Sequence, residues 1–287
     1  MTVRWLLISF QRIARHAIMG PMTWLQVAPK FDALFRALGW SAFEDVAGHF
    51  IAGATLRGEV FVKPATLTVG AETMDVFFKQ YRYEKPAWRF MRRPSKARRE
   101  FENYGTLAAL GVSVAERIAA GEERDRIGRL RAAWIITRAV PKSQTLVEFA
   151  DAKPSPTESI RKQLTLDLAR ITRLIHHADF FYHDLVWRNI LVSMDEGGRQ
   201  DAGAPRPELF LIDCPRGGIS KFGRGRQRLR DLASLDKSAV KFCRRTERLR
   251  FLIAYLGKTH LDAEAKALAR EAVAYRKKRW PEDWIGK

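Results

Sequence analysis

The sequence predicts an α+β fold of two unequal lobes, a smaller β-rich lobe followed by a larger α-rich one. Three observations carry this. Runs of β-branched and aromatic residues gather before residue 81, apolar residues at helical spacing dominate after residue 157, and one helical stretch at 96–110 interrupts the strands. A chain of 287 residues can bury a full core, and 46% hydrophobic residues is ordinary for a globular protein.

Taken in order, residues 1–40 form an N-terminal amphipathic, helical extension. On a helical wheel Arg4, Gln11, Arg12 and Arg15 share one arc, and Val3, Leu6, Leu7, Phe10 and Ile13 cover the other. Such a basic amphipathic helix lies on anionic membrane surfaces. An ordinary packed helix, or an extension ahead of a start at Met22, fits the same residues. The apolar run falls short of the ~20 residues that span a bilayer, and no small-residue cleavage site follows it.

From about 43 to 81 the pattern is strand-like, with runs at 59–63, 66–69 and 76–81 parted by Gly and Pro. Over 96–110, Phe101, Tyr104, Leu107, Ala108 and Leu110 keep helical steps, and Gly111 stops the helix. Residues 132–137 read as a buried strand. Pro154 and Pro156 mark a break before a helix over 157–178. The apolar runs 180–192 and 208–213 follow, joined by a Gly/Asp/Pro-rich insert at 195–207 with the composition of a surface hairpin. From about 227 onward the pattern is helical. The lobes therefore divide at a hinge near 137–145, giving 41–138 and 139–287.

Charge is the unusual property. Fifty-one Lys+Arg against 32 Asp+Glu give a net charge of +19, which favours polyanionic partners. Nine basic residues fall within 79–99 against Glu84 alone, and twelve within 216–250 against Asp231, Asp236 and Glu247. Together these clusters read as an anion-facing surface. Cys214 and Cys243 have no CxxC spacing, which fits a reducing compartment and excludes a metal site built on Cys.

The chemistry sits in His183-Asp184-Leu185-Val186-Trp187-Arg188-Asn189. An Asp followed five residues later by an Asn, leading into an apolar strand, is the spacing of a phosphotransferase catalytic loop. The Asp accepts the proton of an attacking hydroxyl, and the Asn amide oxygen ligates Mg²⁺ held on the triphosphate. Downstream, the strand Phe210-Leu211-Ile212 ends in Asp213, positioned as the second Mg²⁺ ligand. This chemistry requires a Lys on an upstream strand and a Glu on the next helix, to hold the phosphates. Lys79 meets the first demand. Glu100 or Glu102 meets the second, and Glu100, eleven residues before Gly111, has the offset expected from similar kinases. No Walker A motif is present, and Gly48, Gly53 and Gly58 offer only a loose substitute for a nucleotide-covering loop.

These pieces resemble the lipopolysaccharide core kinases of Gram-negative bacteria, a divergent branch of the protein-kinase-like fold. The resemblance rests on residues 77–81, the helix from Arg99 to Asn103 leading to Leu110-Gly111-Val112, the Asp184 and Asn189 loop, Ile212-Asp213, and Arg230-Asp231-Leu232. It implies a bilobal kinase fold with a nucleotide-binding N-lobe over 41–138 and a catalytic, acceptor-binding C-lobe over 139–287. It also implies that Asp231 braces the catalytic loop, and that the cofactors are ATP and Mg²⁺. Three residues depart from protein kinases. His183 precedes Asp184 where Arg is usual, Cys214-Pro215 replaces Phe-Gly, and Trp187 stands where a small residue or Pro is common; it packs or stacks on a sugar.

The expected activity is phosphorylation of a heptose or Kdo hydroxyl of the lipopolysaccharide inner core. The expected setting is cytoplasmic and peripheral, on the cytoplasmic face of the inner membrane. The anionic glycolipid is the partner, the membrane surface is a further contact, and no obligate protein partner is expected. The alternatives are a small-molecule or protein kinase of this fold, or a catalytically silent scaffold. A nucleic-acid binder is disfavoured, since no binding motif accompanies the charge.

Overall fold

The computed structural model describes residues 21–281, apart from 56–57, 88–89, 92 and 195–205, with residues 84–87 described by backbone alone. The amphipathic helix expected within residues 1–20, and most of the hairpin expected over 195–207, lie outside the described residues.

The N-terminal region is built on a five-stranded antiparallel sheet ordered β1-β4-β5-β3-β2. Its strands are β1 (Met22–Val27), β2 (Val60–Val69), β3 (Glu72–Ala87), β4 (Arg117–Arg124) and β5 (Leu130–Arg138). Helices α1 (Asp32–Ala37) and α2 (Phe43–Ile51) cover one face, and α3 (Lys96–Ala109) covers the other. Alternation along the strands decides which side chain goes where. Val76 and Phe78 of β3, with Trp134 and Ile136 of β5, enter the core beneath α2, where the Phe50 and Phe78 rings stack at 4.5 Å. Tyr81, Ala133 and Ile135 enter the opposite core with Phe101, Tyr104 and Leu107 of α3.

Three expectations are corrected here. Residues 43–51 are helix, not strand, because Phe43, Val46, Ala47 and Phe50 are buried at helical spacing. Asp45 fixes this helix start by accepting the backbone N–H groups of Ser41 and Ala42, each at 2.8 Å. Met22–Val27, expected inside a helical extension over 1–40, is a strand of the sheet: Leu25 and Val27 join the α2-side core and Trp24 the other. The runs 59–63 and 66–69 are one strand. Pro64 does not interrupt it, because β2 lies at the sheet edge, where a missing N–H costs no ladder bond.

The C-terminal region is mainly helical. Its helices are α4 (Leu146–Asp151), α5 (Glu158–His177), α6 (Arg224–Phe242), α7 (Arg245–Leu256) and α8 (Ala263–Arg279). Among them lie short strands β6 (Ser143–Thr145), β7 (Phe180–Phe181), β8 (Ile190–Ser193), β9 (Glu208–Leu211) and β10 (Gly218–Ile219), paired as β6-β8-β9 and β10-β7. One core cluster runs from α3 and β5 into α5, β7, β8 and β9, so both regions share buried residues. No helix among the described residues is long and apolar enough to cross a membrane.

Candidate active site

Period two along β3 places Lys79 and Tyr81 on the face turned towards α3. Lys79 lies within the strand, paired with Val62 of β2 and Ile135 of β5, and its side chain is 17% exposed. Ser95 caps α3 by accepting the Arg98 N–H at 3.0 Å, and the buried stripe of the helix carries Glu100 and Tyr104 one turn apart.

These side chains converge. Lys79 Nζ lies 3.2 Å from Glu100 Oε2 and 2.5 Å from Asp213 Oδ1. Tyr81 Oη donates to Glu100 Oε2 at 2.9 Å, and Tyr104 Oη donates to Glu100 Oε1 at 3.0 Å. Tyr104 Oη also accepts the backbone N–H of Asp213 at 2.8 Å. Glu102 points away and pairs with Arg98 at 2.9 Å. Burial works against the Lys79 ammonium, but Glu100 and Asp213 together outweigh it and hold its pKa above the ordinary value. Burial pushes the Glu100 carboxyl up, with Lys79 opposing. Both tyrosines are also pushed up by burial and stay protonated donors.

The antiparallel register of β8 and β9 supplies the second half. Ile190 pairs with Leu211, and the Ile212 N–H donates to the Asn189 carbonyl at 2.9 Å, so Asn189 and Asp213 lie on adjoining segments. Asn189 Nδ2 donates to the Asp184 carbonyl at 2.9 Å, which leaves Oδ1 as its remaining polar atom. The Asp213 side chain is 43% exposed. Asn189 Oδ1 and the Asp213 carboxylate are hard oxygen donors on adjoining segments, a donor set that suits Mg²⁺, which needs only one or two protein carboxylates or carbonyls when phosphates and water complete its shell. The half-buried Asp184 carboxylate has no side-chain partner among the described residues.

Two residues here have left-handed backbone, His183 (φ 67) and Asp213 (φ 62), a region that non-glycine residues occupy at a cost. Each is pinned by a buried side chain. Tyr104 holds the Asp213 N–H. Asp231 of α6, fully buried, accepts the Tyr182 and His183 N–H groups, each at 2.7 Å. His176 Nε2 lies 3.3 Å from Asp231 Oδ2 and its Nδ1 lies 2.8 Å from Tyr255 Oη. The loop after Asp213 is equally tied. Asn103 Nδ2 donates to the carbonyls of Cys214 and Gly217 at 2.8 and 3.0 Å. A Cβ at Gly217 would stand 2.5 Å from Cys214 Sγ and 3.1 Å from the Phe181 carbonyl. Burial pushes the Cys214 thiol well up, so it is a packing residue.

The structure thus brings Lys79, Glu100 and Asp213 together, sets Asn189 on a segment adjoining that of Asp213, and ties Asp231 to the loop that carries Asp184. Trp187 is buried and stacks on Phe242 at 5.6 Å, which is packing. Gly48 lies inside α2, so it is no loop glycine. Sequence reading missed Tyr81, Asn103, Tyr104 and His176. The signals were there for two of them: Tyr81 is two residues from Lys79 on a strand, and Tyr104 is four from Glu100 on a helix.

A sheet-rich region contributing a Lys–Glu ion pair, joined to a helical region with an Asp loop and an Asn/Asp oxygen pair, defines a kinase-like phosphotransferase. The chain belongs to the lipopolysaccharide kinase (Kdo/WaaP) family, whose model matches residues 69–255. No curated protein sequence matches significantly. Among solved structures the chain is similar to WaaP in complex with acyl carrier protein, with a TM-score of 0.62 at 21% identity over 91% of this chain and 99% of that one. That match shows the fold. It also corrects the expectation of no obligate protein partner, because a protein of this fold was solved with a protein partner bound.

Proposed function

We propose that this protein transfers the γ-phosphoryl group of ATP to a sugar hydroxyl, heptose or Kdo, of the lipopolysaccharide inner core. The observation that carries this reading is the Lys79–Glu100–Asp213 cluster set beside Asn189 and the Asp184 loop. Family membership supports the kinase class and the acceptor class.

In this reading Lys79 binds the α- and β-phosphates and Glu100 holds its ammonium in place. Asn189 and Asp213 would hold Mg²⁺, which neutralises charge on the phosphates when bound. Asp184, with its carboxylate free of side-chain partners, accepts the proton of the attacking sugar hydroxyl. Asp231 positions the Asp184 loop through the two N–H groups it accepts. The sheet-rich part up to about residue 138 serves the nucleotide, and the part from 139 serves catalysis and the acceptor. The work site is the cytoplasmic face of the inner membrane, where a chain of net charge +19 meets an anionic glycolipid. A protein partner belongs in this picture too, and acyl carrier protein, present in the WaaP structure, is the first to try.

The test is transfer of labelled γ-phosphate to purified dephosphorylated core lipopolysaccharide, with and without Mg²⁺. Asp184→Asn preserves shape and removes the base, and its rate should fall about 100-fold or more. A variant that phosphorylates core at the wild-type rate would sink the assignment.

A further inference from the structure

The segment after Asp213 leaves two large apolar side chains in solvent. Phe222 is 86% exposed and Ile219 is 64% exposed, the highest values for large hydrophobics among the described residues. Their backbone is tied down. Ile219 pairs with Phe180 across β10 and β7, and the Ser220 N–H donates to the Asp179 carbonyl at 2.9 Å. Gln227 Nε2 donates to the Phe222 carbonyl at 2.5 Å and to Ser220 Oγ at 3.0 Å. Arg224 pairs with Asp179 at 2.7 Å. A fixed backbone therefore holds an aromatic ring in water, against the hydrophobic effect.

The surrounding charge points to what covers it. Arg216, Lys221, Arg224 and Arg226 are exposed around the two apolar residues, and no acidic residue lies between Asp213 and Asp231. Protruding apolar residues ringed by cations suit an anionic lipid interface, where rings enter the headgroup layer and cations meet phosphate. A protein partner would want a broader packed patch, of about 800 Å². The edge also stands close to the chemistry, since Gln227 Oε1 lies 2.7 Å from Nε2 of His183, the residue before Asp184.

We propose that residues 216–226 are a membrane-docking edge, in which Ile219 and Phe222 enter an anionic lipid surface while Arg216, Lys221 and Arg226 bind its headgroups. Docking there sets the Asp184 loop at the height of a lipid-borne acceptor; this last point rests on the kinase reading above. The test is co-sedimentation of the full-length protein with vesicles of phosphatidylcholine, alone or mixed with phosphatidylglycerol. The wild type should bind the mixed vesicles, and bind them less as salt rises. The exposed-site double variant Ile219→Ser/Phe222→Ser, checked for an unchanged unfolding midpoint, should bind about tenfold more weakly. Arg216→Gln/Lys221→Gln/Arg226→Gln should lose binding by about as much. No binding of the wild type to mixed vesicles, or binding by the double variant within about twofold of it, overturns the proposal. So does loss of binding to acyl carrier protein in these variants with vesicle binding intact, which would make the edge a protein interface. Vesicle binding needs neither ATP nor acceptor. A wild type that phosphorylates no core oligosaccharide would thus overturn the reading of the reaction and leave the vesicle result to decide the docking edge.

Discussion

Glu100 is the most constrained carboxylate of the site, with Lys79, Tyr81 and Tyr104 all directed at it and 2% of its surface exposed. The two members of its ion pair are not equivalent. Lys79→Met removes the ammonium that faces both Glu100 and Asp213, leaving a buried carboxylate without this counter-charge, and should cost about 3 kcal/mol of stability. Glu100→Gln instead removes a charge that burial disfavours, and Lys79 keeps Asp213. Its unfolding free energy at neutral pH should stay within about 1 kcal/mol of the wild type. Both variants should lose about 100-fold in phosphoryl transfer, because each lets the Lys79 ammonium shift from its place. Denaturant unfolding read alongside kinetics separates the two effects: equal stability losses in both variants would contradict the asymmetry. The pH sense follows from the raised Glu100 pKa. Relative to the Gln variant, the wild type should gain stability as pH falls towards 4.5, the ordinary value for the group, and lose it as pH rises through the folded value.

At the scale of elements, α6 acts on the Asp184 loop through one side chain. Asp231→Ala would strand the Tyr182 and His183 N–H groups inside the protein, at about 1–3 kcal/mol each. His183 would also lose the bond that holds its left-handed backbone. The expected result is a folded but weakened enzyme with reduced kcat and a smaller change in KM for ATP, since the Lys79 side of the site is untouched. A KM for ATP that rises as far as kcat falls would place Asp231 elsewhere in the mechanism. The role of Asp231 came from the family resemblance, whereas Lys79, Glu100 and the β8–β9 pair were legible because each sits in a local run with one clear period. Other elements were not. Phe43, Val46 and Phe50 look as much like strand residues as helix residues until Asp45 is seen to cap them. β1 is recognisable only once β4 offers its edge, a pairing across about a hundred residues that no local pattern encodes. Tyr104 was legible as a core residue on α3, and its hydroxyl bond to the Asp213 backbone depends on where β9 ends.

At the scale of the whole molecule, the helical region is stitched together by ions. Arg161 of α5 reaches Glu247 of α7 with two bonds, Nε to Oε1 at 2.7 Å and Nη2 to Oε2 at 2.8 Å, and its Nη2 also donates to the Phe242 carbonyl at the end of α6. Glu247 in turn accepts the Arg244 N–H at 2.7 Å at the start of α7. Three helices therefore meet at one bidentate pair whose carboxylate is 8% exposed. The hydrogen bonds from Arg161 come first among the causes that hold the Glu247 carboxyl below its ordinary value of 4.5, outweighing burial. A depressed folded pKa means that the stabilisation is present above 4.5 and is lost as pH falls through the folded value. Glu247→Gln keeps an acceptor for Arg244 and removes the charge, so it should cost about 2 kcal/mol at neutral pH. That gap should hold down to about pH 5 and close at lower pH, as the wild-type carboxyl takes up its proton. Urea unfolding of both proteins across this range measures the gap directly. A gap that stays constant through acid would mean that Glu247 stabilises the helices by packing and shape, since only the ionised carboxylate distinguishes the two proteins electrostatically.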